Sequence, residues 1–314
     1  MKNRLVCVIG GSGFLGRYVV QALLQEGVRI RVVARDGRDG WFLKTQGGLG
    51  QIQFASGDVR KIDSLTRAVA GADAVVNLVG ILKGDFQAFH VDGARNVARA
   101  AAGAGVQALV HVSAIGADPE SPSAYGRSKG EGEAAVRAEF PSATILRPSI
   151  VFGREDQFVN RFADLIRMLP VVPVIRGTVK FQPVYVGDVA KAVVAAVAGA
   201  LSPAHLYAGK AYDLGGPEVL SMANLNRWIA VAIGRNVPLF ELPDALSHLM
   251  VKTIGSLPGA PMTKDQWLML QSDNVVAGAN GLQEMGIAPT PLEAVADGWL
   301  VQYRRHGRFA GKIA

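Results

Sequence analysis

One cysteine, Cys7, is all that 314 residues contain, so no disulfide can form within the chain. Its place in an apolar run marks it as a packed thiol rather than a redox one. No apolar run reaches the roughly 18 uncharged residues that a membrane-spanning helix needs. The nearest, 189–201, is interrupted by Lys191 and reads as a buried helix. The histidines at 90, 111, 205, 248 and 306 have no metal-ligand spacing, and no metal site is expected. His111, inside an apolar strand, is expected to be a satisfied core group. Zinc spacing, a helix-turn-helix pattern and basic–aromatic interleaving are all missing, which argues against nucleic acid as a partner. There is no internal repeat and no low-complexity segment. The first strand begins at Leu5, leaving no room for a signal or transit peptide and pointing to a bacterial cytoplasmic protein.

What is present is a chain with 49% hydrophobic and 19% charged residues, the balance of a soluble globular protein and not of a disordered one. The formal charge of +7 favours anionic partners: cofactor phosphates, an acidic protein surface or anionic lipid headgroups.

In the first half, apolar runs alternate with helical stretches, the mark of a parallel sheet with crossover helices. Strands are expected at 5–9, 29–34, 52–55, 74–78, 108–113 and 144–147. Helices are expected near 17–26, 62–70, 91–103 and 125–139. That order predicts an α/β fold, a Rossmann-type doubly wound sheet, in residues 1–152. Beyond Phe152 prolines break the pattern. Stretches 184–201 and 211–214 read as returns to the sheet, within about 183–216, while 153–182 and 217–314 would build a smaller C-terminal lobe.

Leu5-Val6-Cys7-Val8-Ile9 runs straight into Gly10-Gly11-Ser12-Gly13-Phe14-Leu15-Gly16. Gly10, Gly13 and Gly16 have the spacing of a dinucleotide-binding loop. Gly10 allows the tight turn, Gly13 the close approach of backbone to pyrophosphate, and Gly16 the packing of helix on strand. With Ser12, Phe14 and Leu15 they form the expected cofactor loop, and a strand before and an amphipathic helix after supply the context. After the second strand, where an NAD-binding protein usually carries an acid, this chain has Arg35, with Arg29, Arg31 and Arg38 nearby. An arginine there can pair with a 2′-phosphate, so NADP(H) is favoured over NAD(H). Asp36 follows and leaves a ribose contact open. Asp58, with Val59 after the third strand, would sit near the adenine amino group or serve as a turn carboxylate.

Ser113 closes the fifth strand, and Tyr125 and Lys129 follow, four apart on one helical face. The ammonium is expected to lower the phenol's pKa, so that Tyr125 exchanges a proton with a substrate oxygen held by Ser113.

With these residues the chain resembles an extended or atypical short-chain dehydrogenase/reductase over nearly its whole length. Gly10, Gly13, Gly16, Asp58, Asn77-Leu78-Val79-Gly80, the Ser113–Tyr125–Lys129 set and Leu146-Arg147-Pro148-Ser149 fall in that family's order. The resemblance implies that Pro148 and Ser149 border the nicotinamide and that Lys129 bonds its ribose; Val79, next to Gly80, departs from the family's usual Asn-x-Ala-Gly and slightly narrows the cofactor floor. Two further stretches, 152–163 (FGREDQFVNRFA) and 180–189 (KFQPVYVGDV), are similar to the NAD(P)H-binding accessory subunit of respiratory complex I and its bacterial relatives. That resemblance implies a mainly structural nucleotide and complex I subunits as partners. It also implies a peripheral position on the inner face of the plasma membrane.

The rival expectation is an active NAD(P)-dependent reductase or sugar-nucleotide epimerase or dehydratase using Ser113, Tyr125 and Lys129. An epimerase needs cationic groups gripping a nucleotide diphosphate, for which Arg154, Arg161 and Arg176 are the available candidates. A redox-sensing partner of transcriptional regulators, the third reading, is disfavoured by the intact Tyr–Lys pair. In 244–257 apolar residues at 246, 249, 250, 254 and 257 make one helical face, a packing surface or a docking one. The tail 303–312 is basic and expected to be mobile, with attraction to anionic lipid as its functional reading.

Overall fold

The computed structural model describes residues 1–254, 262–305 and 307–309. It divides into two compact units, the first formed by 1–148, 186–214 and 278–288, the second by 149–185, 215–277 and 289–314.

The first unit runs β1 (Leu5–Ile9), α1 (Phe14–Gln25), β2 (Arg29–Ala34), β3 (Ile52–Ser56), α2 (Ile62–Val69), β4 (Ala74–Asn77), α3 (Gly93–Gly103), β5 (Ala108–Val112), α4 (Ala124–Glu139) and β6 (Thr144–Pro148). A helix, Val186–Ala200, and an edge strand, Ala211–Leu214, follow later in the chain. Together the strands make one seven-stranded sheet, all pairs parallel, in which β1 lies between β2 and β4, β3 is one edge, and β4, β5, β6 and Ala211–Leu214 follow in that order on the other side. The doubly wound fold expected from alternating patterns is therefore present. Strands covered on both faces need continuous apolar runs, and all five residues of β1 are buried. On one face Cys7, Ile9, Val75, Leu109 and Ile145 pack with Leu65, Val97 and Val136 from α2, α3 and α4. Cys7 is a core thiol, its Sγ 3.6 Å from the Ala68 carbonyl and its pKa pushed up to about 12 by burial.

Local differences from the sequence expectation have local causes. Helix α1 starts at Phe14, three residues earlier than periodicity indicates, because Gly13 is extended and serves as its cap. Between β2 and β3 lies a 3-10 stretch, Gly37–Gln46, capped by Asp36. A π-helical turn, Gln87–Asp92, precedes α3. Residues 278–288 were expected in the smaller lobe but group with the first unit, where Gly281 packs so tightly against Tyr212 that a Cβ would lie 2.7 Å from it.

The second unit is built on Val159–Met168, Met222–Ala232 and Leu292–Leu300, whose Ile166, Leu225, Ile229 and Leu300 are buried with Phe152. The 152–163 stretch folds around Asp156. Its carboxylate accepts the backbone N–H groups of Gly153, Phe158 and Val159 at 2.6–3.1 Å, capping the Val159–Met168 helix where the dipole favours an anion. The 244–257 pattern yields a helix over Asp244–Ile254; Leu257 lies outside the described residues. The expectation of a mobile tail is corrected at its start. Tyr303 donates to Asn160 Oδ1 at 3.0 Å and Arg304 to the Ala232 carbonyl at 2.9 Å, which anchors both side chains. His306 and Lys312 lie outside the described residues. Among the described residues no helix is long and apolar enough to cross a membrane, and no cluster suits a metal ion.

Candidate functional site

The loop after β1 is shaped by backbone constraints. Gly10 has φ +81°, a conformation side chains rarely adopt, and its N–H donates to the Val33 carbonyl at 2.9 Å. A Cβ at Gly16 would sit 2.5 Å from the Gly10 carbonyl oxygen, so the helix can close on the loop only without one. At Gly13 the nearest atom to such a Cβ is 3.3 Å away. Gly16 is thus demanded by the fold, whereas a side chain at 13 meets chiefly the space in front of the loop. The first N–H groups of α1 have no carbonyl a turn earlier within the helix, which makes this end suited to phosphate.

On the β2 side, pairing separates the arginines. Arg31 donates to the Ala68 and Ala70 carbonyls at 2.7 Å. Arg38 grips both oxygens of Asp36 at 2.6–3.0 Å, and that bonding holds the exposed Asp36 carboxyl down at about 2. Arg29, at the other end of β2, lies within electrostatic reach of Asp73. Arg35 is exposed and carries no ion pair among the described residues. Asp58 is used as a turn carboxylate. It accepts from the Arg60 backbone and guanidinium at 2.6–3.0 Å, which lowers its pKa to about 2. Val59, next to it, is buried against Gly93.

On the β4 side, Asn77 accepts from Val79 N–H at 3.1 Å while its amide donates to His111 Nδ1 at 3.1 Å, so His111 is a satisfied core group. A Cβ at Gly10 would lie 3.4 Å from Val79 Cγ2, and one at Gly80 would lie 3.5 Å from Lys129 Nζ. The 78–81 segment therefore runs between the glycine loop and the lysine. Lys129 is buried, its ammonium donating to the Val112 carbonyl at 3.2 Å, one residue before Ser113. Burial lowers its pKa to about 8, against the pull of Glu133 one turn along. Tyr125 meets Phe86 and His90 edge-on, with centroids 6.0 and 5.5 Å away. The expected lowering of its pKa is corrected: burial pushes it up to about 12, because a desolvated phenolate is disfavoured. The phenol is thus a proton donor at neutral pH. Ser113 is buried and its Oγ has no hydrogen-bond partner among the described residues, which leaves it able to bond a ligand oxygen. Pro148, at the end of β6, accepts from Ile115 N–H at 3.0 Å, in the segment just after Ser113.

Ser149 belongs to the second unit, where its hydroxyl donates to Asn274 Oδ1 at 2.6 Å. Asn274 also receives Ile150 N–H, and no sequence signal singled it out. The same holds for Phe86, His90 and Ser128 in the first unit, where Phe86 meets Tyr125 and His90 meets Ser128 across 38 or more residues. Of the three arginines weighed for a diphosphate, Arg154 and Arg161 are exposed. Arg176 is paired with Asp244 and donates to the Leu270 carbonyl. Three polar residues of the two signature stretches, Asp156, Asn160 and Gln182, bond to backbone. Asn160 donates to the Arg154 and Asp156 carbonyls, and Gln182 donates to the Gly216 carbonyl and accepts from Val276 N–H.

Residues 6–215 match the model of the NAD dependent epimerase/dehydratase family. Across 315 aligned residues the chain is 36% identical to NADH dehydrogenase (ubiquinone) 1 alpha subcomplex subunit 9, mitochondrial, of Mus musculus, covering 98% of this chain and 82% of that one. It is 35% identical to a ceramide reductase of Caulobacter vibrioides over 61% of this chain and 60% of that protein. Among solved structures, the NADPH-dependent quinone oxidoreductase QOR2 of Escherichia coli, complexed with NADPH, matches with a TM-score of 0.73 at 24% identity, over 93% of this chain and 98% of that one. The glycine loop, the parallel sheet and these matches agree on nicotinamide cofactor binding, and the chain belongs to the NAD dependent epimerase/dehydratase family, among the relatives of subunit 9 of the respiratory NADH dehydrogenase.

Proposed function

We propose that this chain is an NADP(H)-binding protein of the complex I accessory-subunit type, in which the nucleotide mainly orders the fold and the protein associates with a respiratory NADH:quinone oxidoreductase. The observation that carries this reading is the 36% identity to subunit 9 over 98% of the chain, which takes in the second unit as well as the nucleotide-binding one. The use of Asp156, Asn160 and Gln182 on backbone supports it, since those signature residues then serve the fold rather than a substrate. NADP(H) is preferred because Arg35, at the end of β2, has no ion pair among the described residues and is free for a 2′-phosphate, while Asp36, the residue suited to a ribose diol, is held by Arg38. Gly10, Ser12, Gly13, Phe14, Leu15 and Gly16 would hold the pyrophosphate, with Val79, Gly80, Tyr125, Lys129, Pro148 and Ser149 toward the nicotinamide and Asp58 and Val59 toward the adenine. Peripheral attachment at the inner face of the plasma membrane belongs to the same reading.

A second reading, an active NAD(P)-dependent reductase, is favoured by one observation: Ser113 Oγ is buried and without a partner among the described residues, one residue after the carbonyl that buried Lys129 bonds. A bound nicotinamide would supply hydride. Ser113 would hold the accepting oxygen, and protonated Tyr125 would give it a proton. Native fractionation of gently solubilised membranes from the source cell, blotted for this protein beside NADH:quinone activity, separates the two. Co-migration that disappears when the respiratory complex is deleted supports the accessory subunit. Migration as a small free species overturns it in favour of a soluble reductase.

A further inference from the structure

Strand order sets the direction in which a dinucleotide lies. Because β2 and β4 flank β1, a pyrophosphate on the 10–16 loop sends one half of the molecule past Arg35 and the other past Gly80. On the second side, His90, from the π-helical turn before α3, joins the segment after β4 to α4.

His90 is 2% exposed. Its Nε2 accepts the Ile81 N–H at 2.9 Å, and a ring nitrogen that accepts carries no proton. The proton therefore sits on Nδ1, which donates to Ser128 Oγ at 2.9 Å. Ser128 in turn donates to the Tyr125 carbonyl at 2.9 Å. The ring lies flat on Phe86 at 5.3 Å and edge-on to Tyr125, while the His90 carbonyl occupies the place where a Cβ at Gly132 would fall. Every polar atom of the side chain is thus spent between two elements that carry candidate site residues. Burial and the charge of Lys129 hold the ring's pKa at about 3, so it keeps this single tautomer at physiological pH.

We propose that His90 is a positioning residue for the nicotinamide half of the site, a neutral strut that sets the spacing between the 78–81 segment and the first turn of α4 and so makes Gly80, Tyr125 and Lys129 face one space. This rests on the reading that the chain binds NADP(H). Its effect is confined to one end of the ligand, because Arg35 and the β2 side share no bond with His90.

The test compares NADPH with 2′,5′-ADP, which has the adenosine end alone, by calorimetry on the full chain, with thermal melting as the check on folding. His90→Leu removes both bonds, Ser128→Ala removes the acceptor of Nδ1–H, and His90→Gln restores a donor and an acceptor on one amide. The wild type should hold NADPH at least about tenfold more tightly than 2′,5′-ADP, and H90L should erase most of that gap while leaving 2′,5′-ADP within about twofold. S128A should lose part of the gap and H90Q recover most of it. Equal weakening of both ligands in H90L and S128A would make His90 a general fold residue and overturn the proposal, as would an unchanged gap in both. If H90L does not fold, S128A decides. A wild type that binds neither ligand sinks the cofactor assignment itself, an outcome distinct from either of these.

Discussion

At the scale of single residues, the candidate site is decided by which polar groups have partners. Arg35 has none among the described residues, whereas Arg31 and Arg38 are spent on helix-end carbonyls and on Asp36. Arg35→Ala should therefore weaken NADPH binding about tenfold to a hundredfold, the worth of one charge-assisted bond, and leave NADH binding nearly unchanged. Calorimetry with both nucleotides checks this, and equal losses would remove the 2′-phosphate role. Lys129 brings a pH dependence. Its pKa falls from the ordinary 10.5 to about 8 on burial, so from pH 8 to 10.5 the unfolded chain binds a proton that the folded one does not. Through that window this group's penalty on folding is relieved as pH rises. Nucleotide affinity should move the other way, falling as the ammonium is lost above pH 8. Lys129→Met should bind more weakly and flatten that fall; an unchanged slope would assign it to another group.

The elements carry a second kind of information. Helix α1 and the strands of the first sheet were legible because burial on one or both faces leaves a local pattern, period 3.6 or a continuous apolar run. The π-helical turn Gln87–Asp92 and the 3-10 stretch Gly37–Gln46 leave none, and both were missed. In the second unit the Val159–Met168 helix depends on one carboxylate, since Asp156 accepts from the start of the helix and from Gly153. Asp156→Ala should cost about 2 kcal/mol, the upper end for a helix cap, because the amides it frees are buried. Chemical denaturation measures that loss. A change of a few tenths of a kcal/mol would mean that other groups cap the helix.

For the molecule as a whole, a mainly structural nucleotide makes a thermodynamic claim. A ligand that binds only the folded state adds about 2.7 kcal/mol at a hundred times its dissociation constant. For a chain of this size that corresponds to a rise of roughly 5 °C in melting temperature. NADPH at that concentration should raise the melting temperature by this amount in the wild type. It should not do so in Gly13→Val, whose Cβ would lie 3.3 Å from the Gly10 carbonyl oxygen and otherwise meet open space, with melting of the nucleotide-free variant as the check on folding. An equal rise in Gly13→Val would move the nucleotide off this loop.

Sequence alone determined the seven-stranded frame's main strands, the glycine loop and the Tyr125–Lys129 spacing, because each is written within one turn, one strand or one loop. Tertiary structure alone decided the rest. It spent Arg31 and Arg38 on other partners and left Arg35 without an ion pair among the described residues, turned Asp156, Asn160 and Gln182 onto backbone, and brought His90 against Ser128 across 38 residues. The reason is physical: apolar burial repeats with the local geometry of the chain, whereas the partner of a polar group is whichever donor or acceptor the packed fold brings within 3 Å.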